Sequence, residues 1–141
     1  MTNYYIDYEN VANGGFSGIE TLPKRDKVYV FCRKDDIRHI KAFLKKCSST
    51  PNIFFIEVKG NRRNALDFQL ITYLARHIRK RDVSYIISRD LGYDSAIDML
   101  KEEGYLVFRM QTISSGIEPV RLNKPPKTKK KTTVSEQKKK K

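Results

Sequence analysis

The sequence predicts an α/β fold, a three-layer α/β/α sandwich around a central, mostly parallel sheet of about five strands, over residues 1–112. Three observations carry that expectation. Short apolar runs recur along the chain, segments with helical periodicity separate them, and Asn, Gly, Ser and Pro gather at the junctions. Strands alternating with helices of this length imply right-handed crossovers, which make consecutive strands parallel and cover both faces of the sheet.

Tyr4 to Tyr8 reads as the first strand. The following Asn13-Gly14-Gly15-Phe16-Ser17-Gly18 has loop chemistry, either a flexible connection or a loop that contacts substrate. It is not a phosphate-cradling P-loop, because no Gly-Lys-Ser/Thr follows. Ile19 to Leu22 fits one helical turn, stopped by Pro23. Lys27 to Arg33 is a continuous apolar run with charged ends, as expected of a strand buried on both faces. A helix should follow, capped by Asp35 or Asp36 and burying Ile37, Ile40, Phe43 and Leu44. Ile53 to Val58 reads as a third buried strand, and a basic loop, Lys59 to Arg63, leads to the longest helix, Ala65 to Lys80. Its core stripe is Leu66, Leu70, Leu74 and Ile78, flanked by Ile71 and Ala75, with Arg76, Arg79, Lys80 and Arg81 at the end that suits cations. Val83 to Ser88 is the fourth strand, Tyr93 to Glu103 a helix with Ala96, Ile97, Met99 and Leu100 apolar, and Tyr105 to Met110 the fifth strand. Gly104 stops that last helix.

Charge is unevenly distributed. From Glu118 to Lys141 there are 10 Lys or Arg against 2 Glu, so this segment carries +8 of the formal +13. With its prolines and few apolar residues, 113–141 is expected to be a disordered basic tail. Poly-Lys attracts any polyanion, but positive charge on both parts of the chain suits a phosphate-bearing partner better than an acidic one. No run reaches the roughly 18 apolar residues that span a bilayer, and no secretory leader pattern is present, so a soluble cytoplasmic protein is expected. Cys32 and Cys47 lack the spacing of a zinc site or disulfide framework and read as reduced and structural.

The chemistry lies in the acids. Asp7, Glu9 and Asn10 end the first strand, Asp67 falls in the first turn of the long helix, and Asp90 and Asp94 follow the fourth strand. In an open α/β sheet these positions share the rim at the carboxyl ends of the strands. Singly, Asp67 and Asp94 have ordinary readings as helix-terminus residues, with Asn64 as an N-cap. Collected on one rim they repel: two charges about 6 Å apart at an effective dielectric near 20 cost on the order of 3 kcal/mol. A divalent cation or a bound proton relieves that cost. His39 and His77 lie in helices, so an oxygen-only set favours Mg²⁺ or Mn²⁺ over Zn²⁺.

These segments resemble the PIN-like nucleases, and within them the NYN-type domains. The resemblance spans about residues 4–110 and rests on Asp7-Tyr8-Glu9-Asn10, on Asn64-Ala65-Leu66-Asp67, and on Ser88-Arg89-Asp90-Leu91-Gly92-Tyr93-Asp94. It implies sheet order 3-2-1-4-5 and a metal-dependent ribonuclease, an endonuclease rather than an exonuclease. Asp7, Asp67, Asp90 and Asp94 would be the catalytic acids and metal ligands for Mg²⁺ or Mn²⁺, with Asn10 and Ser88 supporting them. Glu9 either assists a second metal or holds the loop. Arg89 stands where many relatives have Gly, and either contacts phosphate or crowds the site. Lys59, Arg62, Arg63 and Arg89, basic and close in sequence to the acids, are candidate clamps on an RNA backbone, their alternative being solvated surface charge. The rival reading is a PIN-like module that binds RNA or protein and cleaves poorly or not at all. An aspartyl-nucleophile phosphotransferase ranks last, since Glu9 and Val11 occupy the positions where it needs Asp and Thr or Ser. The exposed edge of such a sheet also permits a homodimer.

Overall fold

The computed structural model describes residues 1–117 of the chain. Five strands, β1 (Thr2–Asp7), β2 (Lys27–Cys32), β3 (Asn52–Glu57), β4 (Val83–Ile87) and β5 (Leu106–Met110), form one all-parallel sheet in the order β3-β2-β1-β4-β5. The helices are α1 (Tyr8–Val11), α2 (Lys34–Lys45), α3 (Ala65–His77), α4 (Asp94–Glu102) and α5 (Ile113–Ile117). The expected fold and strand order are therefore present, and β1 lies at the centre. Its register pairs Ile6 with both Val30 and Ile87, which makes the end of β1 the deepest point of the carboxyl rim.

Strand alternation divides the core in two. Tyr4, Ile6, Val28 and Val30 face the α2 side with Ile40 and Leu44, whereas Tyr5, Phe31 and Ile86 face the α3 and α4 side with Leu66, Leu70, Leu74 and Ile97. Each residue step along a strand changes face, so both layers are fed by every central strand. Stacking of Tyr5 on Tyr29, centroids 5.0 Å apart, and of Tyr29 on Phe54, 5.2 Å apart, runs across three strands beneath α3.

Several expectations are corrected. β3 is an edge strand rather than a buried one, and Phe54 is 42% exposed; a continuous apolar run is the same signal in either position. α2 starts at Lys34 and its cap is Arg33, without a side-chain cap bond; Asp35 and Asp36 instead sit in the first turn, where the helix dipole favours them. α3 ends at His77, because Ile78 turns extended and packs on the core while Arg79 and Lys80 go to solvent. Ala75 and Met99, placed on apolar faces from the sequence, are exposed. The glycine-bearing segment is not a flexible loop. Ala12–Phe16 is a 3-10 turn with Gly15 and Phe16 buried, and a Cβ on Gly15 would meet Val11 Cγ2 at 2.3 Å. Gly18 takes φ +97°, and beside it the Ser17 carbonyl accepts from the Ser114 amide at 2.7 Å.

That last contact also corrects the domain limit at residue 112. Ile113 is 0% exposed in the α2-side core, so the ordered body continues into α5. The expected tail from residue 118 onward lies outside the described residues. Among the described residues no helix is long and apolar enough to cross a membrane, and Cys32 and Cys47 are free thiols.

Candidate active site

β1 ends in Asp7, and burial of that position on the central strand leaves its carboxylate 2% exposed. Two hydroxyls hold it. Ser88 Oγ, just past the end of β4, donates to Asp7 Oδ2 at 3.0 Å, and Tyr93 Oη donates to the same oxygen at 3.1 Å. Ser88 Oγ in turn accepts from the Asp90 amide at 3.0 Å, so its single proton is committed to Asp7. Asp90 turns its Oδ1 to the Gly92 amide, 2.8 Å away, capping the short 3-10 turn Leu91–Tyr93 that swings Tyr93 over the rim. Asp67 enters from the first turn of α3, its Oδ1 3.4 Å from the same Tyr93 hydroxyl.

The electrostatics follow from this crowding. Burial pushes the Asp7 carboxyl up to about 6 from its ordinary 3.8; the bonds from Ser88 and Tyr93 oppose the rise and the neighbouring Asp67 adds to it. Asp67 is pushed up as well, by burial first and then by the charge of Asp90. The Tyr93 hydroxyl is pushed far above its usual range by burial and then by Asp7 and Asp67, so it stays a donor.

The structure thus brings Asp7, Asp67 and Asp90 together around Ser88 and Tyr93. Asp94 is held apart from these three. Arg109 on β5 takes both of its oxygens, Nε to Oδ1 at 2.7 Å and Nη2 to Oδ2 at 3.3 Å, while Nη1 donates to the Ser88 carbonyl at 3.2 Å. This fork satisfies Asp94 without the other acids. The capping readings of Asn64 and Asp67 also fail: Asn64 adopts a left-handed conformation, φ 60°, and makes no side-chain cap bond.

Asn10, in α1 just past β1, accepts at its Oδ1 from the Arg89 amide at 2.7 Å, which ties the segment after β1 to the segment after β4. For Glu9 the structure favours the holding role: Arg33 Nε donates to Glu9 Oε2 at 2.8 Å, and Arg33 Nη1 also bonds the Gly60 carbonyl. Lys59, Arg62, Arg63 and Arg89 are all exposed, and none enters an ion pair among the described residues. Sequence reasoning missed Arg33, Arg109 and the double role of Tyr93. Tyr93 stood inside the motif that located Asp90 and Asp94, but a hydroxyl shared by two acids is visible only once α3 and the Leu91–Tyr93 turn meet.

A metal would meet a hard, oxygen-only donor set here, with a buried carboxylate that no cation of the described residues neutralises. Among those residues no three acidic, His or Cys side chains converge into a ready cage. Mg²⁺ commonly binds through one or two carboxylates, keeping several waters, so the donor chemistry fits that ion.

A parallel α/β sheet with its acids gathered where the strand order reverses, between β1 and β4, defines a domain that handles its ligand at the carboxyl rim. The family model described as PIN domain matches residues 1–110, and the chain belongs to that family. PIN domains are typically nucleases that use divalent metals such as Mg²⁺ or Mn²⁺. No curated protein and no solved structure matches the chain.

Proposed function

We propose that this protein is a Mg²⁺- or Mn²⁺-dependent ribonuclease of the NYN type, cutting RNA internally at the rim formed by Asp7, Asp67 and Asp90. The observation that carries the reading is the Asp7 carboxylate, buried and held on one oxygen by Ser88 and Tyr93, with Asp67 on the same hydroxyl. Orienting a buried carboxylate this firmly while giving it no cationic partner prepares it for an added cation. When bound, that cation supplies charge to the scissile phosphate and lowers the pKa of the attacking water.

The chain's own residues do the rest. Ser88 and Tyr93 fix the direction of Asp7, and Asn10 keeps the ends of β1 and β4 in register. Lys59, Arg62, Arg63 and Arg89, exposed beside the rim, hold the RNA backbone without reading its sequence. Arg109 keeps Asp94 as a fixed strut beneath Ser88. Free Cys32 and Cys47 accord with a reducing, cytoplasmic setting, which we include in the proposal.

One observation favours the rival binding module: the acids form no ready three-residue cage among the described residues, and Asp94 is engaged elsewhere. A labelled panel of single-stranded and structured RNAs separates the two. With Mg²⁺ or Mn²⁺ the wild type cleaves, EDTA stops it, and Asp90→Asn, with an unchanged circular dichroism spectrum, does not cleave. Cleavage that survives Asp90→Asn removes the assigned site, and chelator-insensitive binding without cleavage under either metal establishes the module.

A further inference from the structure

Beside Asp67, α3 carries a second feature that the acidic rim does not use. α3 packs over β1 and β2 and leaves the outer part of β3 uncovered, because β3 is the edge strand and no further helix lies beyond α3 on that face among the described residues. The result is a groove of about 490 Å³ between the end of β3 and the outer face of α3. Its floor is Ile56 and Tyr73, its wall is Phe68, and Lys59, Thr72 and Arg76 stand along it. Phe68 is 69% exposed, an unusual cost for a Phe on a helix whose next residue back is a candidate metal ligand.

One of the two cations stands on a fixed backbone. Lys59 has its backbone clamped to α3, since its amide donates to Gln69 Oε1 at 2.9 Å and its carbonyl accepts from Gln69 Nε2 at 2.7 Å. Its ammonium remains without an ion pair, and so does the Arg76 guanidinium, among the described residues. From Phe68 to Arg76 the helix advances about 12 Å. Exposed aromatic ring, flanking cations and an apolar floor are the parts of a single-strand track, in which bases stack and the backbone follows positive charge. Glu57 is the one acidic residue on the lining, so the balance of the groove is positive. An apolar protein partner would have to bury Lys59 and Arg76 unpaired, whereas a nucleic acid uses both.

We propose that this groove is a single-stranded nucleic-acid subsite, in which a base stacks on Phe68 while Lys59 and Arg76 hold the flanking phosphates, leading the strand onto Asp67. The inference rests on the nuclease reading of the rim and adds to it a second place on the chain where the strand is held, outside the acids.

The chain contains no Trp, so Phe68→Trp in the full-length protein creates a single local emitter. The Lys-rich segment 118–141 also attracts polyanions, and emission at position 68 reports the groove alone. With EDTA present, oligo-U, oligo-dT and a duplex of mixed sequence are titrated, following emission for this variant and anisotropy of labelled strands for the others. Single strands quench the emission and the duplex does not; oligo-U against oligo-dT tells whether the subsite takes RNA, DNA or both. Phe68→Ala weakens single-strand binding roughly tenfold, Phe68→Trp restores it, and Arg76→Gln lowers the salt slope by about 0.7. Unchanged emission, or wild-type affinity in Phe68→Ala, overturns the groove even if the protein cleaves RNA. Loss of a dimer in Phe68→Ala with RNA binding intact overturns it in favour of a self-interface. Failure of the nuclease reading looks different: single strands still quench position 68, but no metal brings cleavage.

Discussion

The sharpest test of the rim is the removal of one charge from Asp7. Its carboxyl is pushed from 3.8 up to about 6, chiefly by burial, so the folded state prefers the protonated form. The sign follows: this stability is fully present below pH 3.8, is lost as pH rises through about 6, and is absent at neutral pH. At 1.36 kcal/mol per pKa unit, the metal-free protein gives up about 3 kcal/mol across that interval through this one group. Asp7→Asn removes the titration and keeps an acceptor for Ser88 and Tyr93. The variant should therefore match the wild type near pH 4 and exceed it at pH 7.5 by up to about 3 kcal/mol, less whatever its amide loses in hydrogen bonding. Urea unfolding followed by circular dichroism in EDTA at pH 4, 6 and 7.5 measures the difference. Mg²⁺ should then raise the wild-type midpoint and leave that of the variant unmoved. An equal destabilisation of Asp7→Asn at all three pH values would refute the argument, because it would mean that the carboxylate is stabilised in place and needs no cation.

Other outcomes follow from the same geometry. Asp94→Asn should keep measurable cleavage where Asp90→Asn has none, and Arg109→Lys, losing the fork and the Ser88 contact, should cost about 1–2 kcal/mol in urea unfolding. Equal initial-rate losses in the two Asp variants would return Asp94 to the metal-holding group. Ile113→Ala should lower stability by about 2–4 kcal/mol, since its side chain is buried against the α2-side core. Deleting residues 123–141, which hold nine Lys, should weaken RNA affinity and flatten its salt dependence while leaving the circular dichroism melt unchanged.

Much of this was legible in the chain because local pattern and global fold agree. The strands announce themselves as apolar runs, and the parallel topology alone carries Asp7, Asp67 and Asp90 to one rim. What stayed hidden depends on neighbours distant in sequence. Phe54 reads as core until β3 is known to be at the edge. Ile113 reads as the start of a tail until Ser17 and Gly18 are seen to receive Ser114. The partner of Asp94 is hidden in the same way, since Arg109 stands 15 residues on, in β5. Capping rules named Asn64 and Asp35 or Asp36 as helix starters, and neither place uses a side-chain cap, because one backbone is left-handed and the other helix begins before its acids.

Arg33 joins the acidic rim to the basic loop. One guanidinium reaches both Glu9, in α1 just past the central strand, and the Gly60 carbonyl, in the loop that carries Lys59, Arg62 and Arg63. The basic loop is thereby tethered to the acidic rim by a side chain rooted at the exit of β2, so the loop's cations and the acids share one anchor on the sheet. Under the proposed function, a bound strand pulling on the loop pulls against the sheet itself.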